Sequence, residues 1–444
     1  MAAKRLKVGM VSLGCNKNRV DSELALGALQ ERGYTFTADP AEADILMVNT
    51  CGFIGPAKEE SIDTILEMAE YKKTGRCRLL VVTGCLTQRY EQALMEEMPE
   101  IDVMMGVGQY QALADTIETA LTTGERQCRC EDPKRFYEHS RVLTTPSYTA
   151  YTRIGEGCSN RCTFCAIPLI RGSYRSRPRE KVLEEVRLLA ERGVKEHILV
   201  AQDTTRYGTD WQKHSALPEL MRDAAAIPGV EWLRVLYCYP DETDERLFDV
   251  MADNSNICKY LDLPIQHIDD RILRRMARRG DSGDIRRCLR LAREHGLTTR
   301  TSIIVGFPGE TEDEFRRLLD FLEEAEFDRL GAFAYSAEED TPAASFPDQI
   351  PEEVKQERLD RLMRLQAGIS LRRNQLRVGS VEKVLVTGAD LDQGLLLGRS
   401  EREAPETDGE ILFTPGQAGM AEPGTFVQVR ITEAETYDLK GERV

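Results

Sequence analysis

Short apolar segments that alternate with amphipathic stretches constrain the fold of this 444-residue chain most strongly. In the first part of the chain the apolar segments lie at 8–14, 44–50 and 78–84. A segment that is apolar at consecutive positions is typical of a parallel strand covered on both faces. The stretches between these segments, such as 22–33 and 60–71, have helical periodicity. An α/β domain with a parallel sheet is therefore predicted for residues 5–122.

Two further regions follow a polar segment at 123–147, which we interpret as a linker. Residues 148–350 contain six candidate strands separated by helical segments, at 152–155, 197–202, 232–238, 260–266, 298–305 and 329–335. Six strands at this spacing predict a partial or complete (βα) barrel. A long connecting helix is predicted at 351–375. In residues 376–444, short alternating strands at 383–387, 395–399 and 425–432 predict a small antiparallel barrel.

Charge and cysteine content narrow the possible functions. A net charge of −16 argues against general affinity for nucleic acids, because phosphate contacts require clustered basic residues. The apolar residues near the N-terminus are too few for a signal peptide, and no apolar run is long enough to span a bilayer. We therefore expect a cytoplasmic protein. Its 12 cysteines then indicate metal or cluster ligation, since the cytosol keeps thiols reduced.

The first candidate site is the CxxxCxxC motif formed by Cys158, Cys162 and Cys165, which follows a candidate strand. A loop of this length allows three thiolates to bind three irons of one [4Fe–4S] cluster and leaves the fourth iron open. A zinc site is the alternative. Structural zinc prefers four protein ligands, however, and no histidine or fourth cysteine lies nearby in the sequence. We therefore predict a cluster.

The second candidate site consists of Cys15, Cys51 and Cys85, each of which follows an apolar strand and adjoins a glycine. Parallel strands end at one edge of their sheet, so these thiols are expected to converge there. Three unrelated structural cysteines are the alternative, but the shared position at strand ends argues against coincidence. The remaining six are predicted to be non-ligands: Cys77, Cys128, Cys130, Cys238, Cys258 and Cys288. Only His139 lies near the Cys128–Cys130 pair in sequence.

The CxxxCxxC motif, with Phe164 before its last cysteine, resembles the signature of the radical S-adenosylmethionine superfamily. The resemblance implies that the open iron binds S-adenosylmethionine. One electron then cleaves this cofactor to a 5′-deoxyadenosyl radical, which breaks an unactivated C–H bond. Residues at the carboxyl ends of candidate strands match weaker motifs for cofactor contacts: Gln202, Asp203, Gln266 and Gly306. Ordinary loop polarity and turn geometry are the alternative explanation for them.

The dispersed N-terminal cysteines and the order of the domains resemble the methylthiotransferase family over essentially the whole chain. This resemblance implies two [4Fe–4S] clusters, of which the N-terminal one binds the sulfur to be transferred. The segments 12–23 and 157–178 are similar to members that modify the β-carbon of an aspartate in ribosomal protein S12. Members that modify an isopentenyl adenosine in transfer RNA are the alternative. A non-enzymatic iron–sulfur carrier is a third possibility.

The implied partners are the basic protein S12 and an electron donor such as a flavodoxin or ferredoxin, with no membrane and no RNA substrate. The region 376–444 resembles a TRAM domain and contains seven basic and thirteen acidic residues, a net charge of −6. Such a surface attracts a basic protein. The predicted docking residues are Glu401, Glu403, Glu406 and Asp408. The arginine-rich segment 269–294 fits either RNA contact or a solvated surface. The same holds for three further arginines: Arg171, Arg175 and Arg177.

Overall fold

The computed structural model describes residues 6–131, 136 and 140–444. Its N-terminal domain is a six-stranded sheet in the order β2-β1-β3-β4-β5-β6, with every neighbouring pair parallel. The strands are β1 (Lys7–Ser12), β2 (Thr35–Phe36), β3 (Ile45–Thr50), β4 (Leu79–Gly84), β5 (Val103–Met105) and β6 (Gln127–Arg129). The predicted parallel sheet is confirmed.

Helices cover both faces of this sheet. They are α1 (Asn16–Glu31), α2 (Gly55–Thr74), α3 (Cys85–Arg89), α4 (Glu91–Glu97) and α5 (Leu113–Thr123). Successive residues of one strand enter opposite cores: Met47 packs in the core that includes α1 and α5, and Leu46 in the core that includes α2 and α4. Burial on both sides explains why the strands are apolar at consecutive positions.

The sixth strand lies inside the segment 123–147, which the sequence analysis interprets as a linker. Cys128 in this strand pairs with Met104 of β5. The strand has only three residues, and two of them, Gln127 and Arg129, are polar. It therefore shows no apolar run in the sequence. The linker therefore begins only after β6. His139 lies outside the described residues.

The central region contains two three-stranded parallel sheets, in the orders β11-β10-β7 and β12-β13-β14. These strands are β7 (Thr149–Arg153), β10 (Glu196–Val200), β11 (Trp232–Val235), β12 (Tyr260–Asp262), β13 (Thr298–Val305) and β14 (Arg329–Ala334). A bridge between Leu233 and Ile257 connects the two sheets into a partial barrel. All six predicted strands are present. Two further short strands, β8 (Gly155–Glu156) and β9 (Arg175–Ser176), form a separate antiparallel pair.

Helices pack against the outer face of this partial barrel in one apolar core. The short helix α6 (Ile167–Arg171) packs against Cys85 and Val107 of the N-terminal domain instead. The helices of this core are α7 (Arg179–Glu191), α8 (Leu217–Ala225), α9 (Glu245–Asp253), α10 (Asp270–Arg275), α11 (Ser282–Glu294), α12 (Glu312–Ala325) and the connecting helix α13 (Glu352–Gln375). The start of α12 is fixed by a capping box between Thr311 and Glu314. Within the described part of the chain, no helix has both the length and the apolar character needed to cross a membrane.

The C-terminal region is a closed barrel in the order β15-β16-β17-β19-β18. Its strands are β15 (Val381–Asp390), β16 (Leu395–Ser400), β17 (Ile411–Thr414), β18 (Phe426–Ala434) and β19 (Leu439–Arg443). The predicted small barrel is confirmed, but its strands β17 and β19 are missing from the prediction. Both are short, and β19 carries charged residues at three of its five positions. The parallel pairing of β17 with β19 is an exception to the antiparallel pattern.

Buried ion pairs attach the C-terminal barrel to the partial barrel. Arg399 donates from Nη2 to Glu196 Oε2 at 2.7 Å, and Glu196 is the first residue of β10. Arg329, the first residue of β14, donates from Nη2 to Glu403 Oε1 at 2.9 Å. The C-terminal barrel therefore covers the amino-terminal ends of these strands, opposite to the ends at which barrel enzymes build their sites.

These contacts contradict the exposed docking surface predicted at Glu401, Glu403, Glu406 and Asp408. The side chains of Glu403 and Asp408 are only 2% and 3% exposed. Glu406 is exposed but forms an ion pair with Arg19 of α1 at 2.8 Å. Glu401 accepts a hydrogen bond from the backbone of Lys259 at 3.0 Å. All four residues therefore contact other parts of this chain, because the interdomain surface contains basic and polar groups that need acceptors.

Replacing Glu403 with Gln should destabilise the attachment of the C-terminal barrel by about 3–5 kcal/mol, because it leaves Arg329 buried without its charged partner and Arg377 with Glu382 alone. Trp232 can report this change, since its ring packs 4.8 Å from Phe426 of the C-terminal barrel. Urea unfolding followed by Trp232 fluorescence in a Trp211→Phe background measures the midpoint. The exposed Glu433→Gln is the control, expected within about 0.5 kcal/mol of the parent. Equal shifts in both variants would contradict the prediction.

Candidate functional site

The first cysteine triplet lies on a loop between β8 and α6. Cys158 and Cys162 are buried and Cys165 is half-buried. Backbone hydrogen bonds hold the loop: Cys158 N donates to Gly172 O at 3.0 Å, and Cys165 N donates to Cys162 O at 3.0 Å. Thr163 N donates to Met276 O at 2.9 Å, which attaches the loop to the end of α10. The three thiols are therefore presented by a rigid backbone.

A buried cation accompanies this triplet. Arg278 places Nη1 3.8 Å from Cys162 Sγ, and its guanidinium lies 4.0 Å from the centroid of the Tyr239 ring. Burial raises the pKa of the Cys158 thiol to about 11 and also raises that of Cys165. Such thiols need a bound metal to lose their protons, and a nearby cation stabilises the resulting negative charge. The residues present therefore fit an anionic iron–sulfur cluster.

The second triplet lies at the carboxyl ends of three adjacent strands. Cys15 precedes α1, Cys51 follows β3, and Cys85 is the first residue of α3 directly after β4. Asn18 connects the ends of two of these strands, because its Nδ2 donates to Leu13 O and Thr50 O, both at 2.9 Å. The predicted convergence of the strand ends is what parallel pairing of β1, β3 and β4 produces.

Cations also accompany the second triplet. Arg171 donates from Nη2 to Cys85 Sγ at 3.4 Å. Burial raises the pKa of Cys85 to about 12, despite the positive charge of Arg171. At Cys15 loss of solvation also acts to raise the pKa, but the positive charges of Lys17 and Arg171, together with backbone hydrogen bonds, outweigh it and lower the pKa. Lys17 itself lies 3.2 Å above the ring of Tyr237. Fixed positive charge therefore lies beside this triplet as it does beside the first, although here only Cys85 is buried, while Cys51 is half-buried and Cys15 is exposed.

The spacing of the sulfurs distinguishes a cluster from a zinc ion. Among the described residues, neither triplet has its three sulfurs all within 4.8 Å of one another. Tetrahedral zinc with Zn–S bonds of about 2.3 Å holds its sulfurs roughly 3.8 Å apart. A cubane carries each thiolate on a different iron and so requires a wider spacing. The geometry therefore disfavours the zinc alternative at the first triplet.

Arg171 joins the two triplets into one site. This residue ends α6, directly after the loop of the first triplet, and its side chain is 1% exposed. Besides Cys85, it donates to Asn18 Oδ1 at 3.0 Å, to Asp21 Oδ2 at 2.8 Å and to Glu156 Oε1 at 3.1 Å. Next to it, Ala166 and Ile170 pack against Cys85 and Val107. The loop of one triplet therefore rests on the helix that carries a cysteine of the other.

Burial also corrects the interpretation of Arg171 and Arg177 as RNA contacts or solvated residues. Both are buried, and Arg177 pairs with Glu185 of α7. In the segment 269–294, arginines of α10 and α11 pair with acids on α12, as in the pairs Arg271–Glu314 and Arg286–Glu324. Their partly or fully exposed side chains fit the solvated-surface interpretation, and the pairs Arg287–Asp284 and Arg290–Glu294 lie within α11 itself.

The predicted S-adenosylmethionine contacts fall into two groups. Gln202 donates from Nε2 to Glu156 Oε1 at 3.1 Å, while its Oε1 is buried and has no hydrogen-bond partner among the described residues. Gln266 has a positive φ of 70°, and its backbone pairs with Ser302 and Ile304 of β13. Within the described structure its side-chain amide is without a hydrogen-bond partner. These two side chains retain capacity to bind a ligand.

The other three predicted contacts are engaged by the protein. Asp203 is fully buried and accepts hydrogen bonds from Asn160 at 2.8 Å and from Thr205 at 2.6 Å. Phe164 packs edge-on against Phe307, with ring centroids 6.5 Å apart. Gly306 has a φ of 70°, and its N–H donates to Glu310 Oε2 at 2.7 Å. These residues support the loops around the site.

Five polar residues that lie between the triplets or beside one of them were not predicted: Lys17, Asn18, Asp21, Glu156 and Arg278. A signal was present for the first three, because Asn16 to Ser22 directly follow the Cys15 ligand position and are almost all polar. Polar residues inside a helix whose first turns are buried are a sign of a functional surface.

Three family models together match most of the chain. The radical SAM superfamily matches residues 152–322, the uncharacterized protein family UPF0004 matches residues 7–106, and the TRAM domain matches residues 378–444. Among solved structures, the radical S-adenosylmethionine methyltransferase TsrM from Kitasatospora setae is similar, with a TM-score of 0.59 and 16% identity. This similarity covers 82% of this chain and 89% of that one. At such low identity it supports the fold alone.

Full-length relatives are much closer in sequence. The ribosomal protein uS12 methylthiotransferase RimO of Geobacter sulfurreducens is 50% identical over 447 residues, which cover 100% of this chain and 99% of the relative. RimO of Desulforamulus reducens is 51% identical over 98% of this chain and 99% of its own. RimO of Clostridium botulinum is 49% identical over 99% of this chain and 98% of its own. The chain therefore belongs to the RimO family of radical S-adenosylmethionine methylthiotransferases.

Proposed function

We propose that this chain adds a methylthio group to the β-carbon of an aspartate in ribosomal protein uS12. The observation that carries the proposal is the connection of the two cysteine triplets through Arg171, since the transfer needs one site for the radical and another for the sulfur. The relatives named as uS12 methylthiotransferases, which match this chain over its whole length, support the choice of substrate. The β-carbon of an aspartate carries no proton acidic enough for a general base at neutral pH, which calls for radical chemistry.

The proposal places a [4Fe–4S] cluster on Cys158, Cys162 and Cys165, and an auxiliary one on Cys15, Cys51 and Cys85. When bound to the first triplet, a cluster with S-adenosylmethionine supplies the radical that removes a hydrogen atom from the substrate carbon. Arg278 and Arg171 provide the positive charge that stabilises ionised thiolates at the two triplets.

We infer that Gln202 and Gln266 contact S-adenosylmethionine directly. Both lie at the carboxyl ends of strands, and the Oε1 atom of Gln202 is a buried acceptor without a donor among the described residues. An unpaired buried acceptor is costly unless a ligand satisfies it. Asp203, Phe164 and Gly306 act indirectly in this proposal: they hold the loops through Asn160, Phe307 and Glu310.

The exposed charge of the C-terminal barrel favours a basic protein as the substrate. Besides Glu406, which pairs with Arg19, five acidic side chains of this barrel are exposed: Asp392, Glu422, Glu433, Glu435 and Glu442. Only three exposed basic side chains oppose them: Lys383, Arg430 and Lys440. This surface attracts a lysine- and arginine-rich protein and repels a phosphate backbone. It therefore replaces the interdomain acids as the proposed docking surface, and it argues against an RNA substrate.

The proposal also requires an external one-electron donor, such as a flavodoxin or ferredoxin, and a cytoplasmic location where ribosomal proteins are available. Purified flavodoxin with its reductase, compared with a chemical reductant, measures whether the donor supports turnover.

The substrate is tested by incubating the reconstituted protein separately with purified uS12 and with transfer RNA that carries isopentenyl adenosine. We expect peptide mass spectra to show a methylthio addition on one aspartate, and nucleoside analysis to show no addition. Modified adenosine with unmodified uS12 would assign the transfer-RNA substrate instead. Cleavage of S-adenosylmethionine without modification of either substrate would refute both, and absence of any cleavage would support a carrier function.

Charge reversal tests the docking surface independently. Asp392→Lys, Glu422→Lys and Glu442→Lys together should lower kcat/KM for uS12 by about tenfold, which corresponds to about 1.4 kcal/mol. The effect should shrink at high salt, because exposed charges are screened. Cleavage of S-adenosylmethionine in the absence of uS12 should be unchanged. A matched variant, Arg430→Glu, should raise kcat/KM; a decrease of similar size in both would contradict electrostatic docking.

A further inference from the structure

A third cluster of potential metal ligands lies outside both triplets. Cys128 and Cys130 are half-buried on and after the edge strand β6, and Glu91 is the first residue of α4. The distance from Cys128 Sγ to Cys130 Sγ is 3.9 Å, and that from Cys128 Sγ to Glu91 Oε1 is 3.1 Å. All three ligand atoms lie within 4.8 Å of one another, and no other such group occurs in the part of the chain that the structure describes.

The backbone explains why the two thiols meet. Residues i and i+2 of a strand point to the same face of the sheet, so the two side chains of a C-x-C sequence are neighbours. They pack beside the apolar core between the sheet and the helices α2 and α4. Gln88 of α3 donates from Nε2 to Cys130 O at 3.1 Å, which fixes the end of the strand. The pair is therefore positioned by the fold, whereas exposed Glu91 is free to adjust.

We propose that Cys128, Cys130 and Glu91 bind a thiophilic divalent cation such as Zn²⁺. Zinc with Zn–S bonds of about 2.3 Å requires sulfurs roughly 3.8 Å apart, which agrees with the observed 3.9 Å. The same ion requires a sulfur–oxygen distance of about 3.6 Å, and rotation of the Glu91 side chain supplies the extra half ångström. With three protein ligands, the ion keeps one position for water or another small ligand.

The charges around the group favour a cation. Among the described residues, Glu91 has no ion pair with a lysine or arginine. Two thiolates and one carboxylate bring three negative charges together, so a divalent ion is the natural compensation. In contrast, each cysteine triplet of the proposed active site has its own buried arginine.

The test uses the full-length protein with both iron–sulfur clusters assembled under anaerobic, reducing conditions. Zn²⁺ alone is added, excess metal is removed, and the metal content is measured by mass spectrometry. X-ray absorption at the zinc edge, which iron does not disturb, then reports the ligands. We expect one zinc per chain with unchanged iron, and two sulfur ligands at about 2.3 Å together with oxygen ligands.

Variants connect the metal to this group. Cys128→Ser with Cys130→Ser should lower zinc affinity at least 100-fold, and Glu91→Gln about tenfold. Cys77→Ser, in the same domain, is the matched control and should bind zinc as the parent does. Absence of zinc, a site with four sulfurs, or zinc retained in the double variant would overturn the proposal. So would a Cys128–Cys130 disulfide in the peptide mass spectrum under the same reducing conditions. Methylthio transfer to uS12 is measured separately, so neither result depends on the other.

Discussion

Replacing Cys158, Cys162 and Cys165 with alanine is expected to remove about four of eight irons per chain and to abolish cleavage of S-adenosylmethionine. Three thiolates are the only protein ligands that the loop offers, and Arg278 beside Cys162 stabilises their charge. Without them the cofactor has no open iron to bind. Iron analysis after anaerobic reconstitution and chromatography of 5′-deoxyadenosine measure the two losses.

A variant with the same number of lost cysteines controls for nonspecific effects. Cys77, Cys238 and Cys288 are buried and lie outside both triplets. Their joint replacement with alanine should keep about eight irons and the cleavage activity. If this control lost as much iron as the triplet variant, general destabilisation would explain the result, and the ligand assignment would lose its support.

The second large effect is expected from alanine at Cys15, Cys51 and Cys85. This variant should also lose about four irons, but it should still produce 5′-deoxyadenosine. It should transfer no methylthio group to uS12, because the proposed function assigns binding of the sulfur to the cluster on these three cysteines. The separation of the two activities follows from the geometry: these cysteines lie on the N-terminal sheet, whereas the first triplet lies on a loop of the central domain.

The N-terminal and central domains pack closely, so the effect of this variant on the loop of the first triplet has to be checked. Arg171 contacts Cys85 as well as Asn18 and Asp21, so removal of Cys85 leaves the guanidinium its oxygen partners. The loop of the first triplet should therefore keep its position. Electron paramagnetic resonance of the reduced variant checks this point, since the remaining cluster should change its signal on addition of S-adenosylmethionine. Methylthio product from this variant would contradict the division of roles.

Much of the fold could be predicted because periodicity and cysteine spacing are local properties of the chain. Strands such as β3 and β4 are buried on both faces, and consecutive apolar residues record that environment directly. Parallel pairing then places Cys15, Cys51 and Cys85 at one edge. Some short strands were not predicted. Strand β6 has three residues, two of them polar, and β19 has charged residues at three of its five positions.

What the sequence by itself determined was therefore the fold class, with its parallel sheets and its small C-terminal barrel, since each depends on residues close together or on a regular repeat. Only the tertiary structure decided how charged side chains are used. Asp21 pairs with Arg171, which lies 150 residues further along the sequence, and Glu196 pairs with Arg399, which lies 203 residues further along. An exposed and a buried acid look identical in a sequence. Whether Glu403 docks a substrate or pairs with Arg329 is decided by which surfaces of different domains lie against each other, and no local pattern encodes that contact.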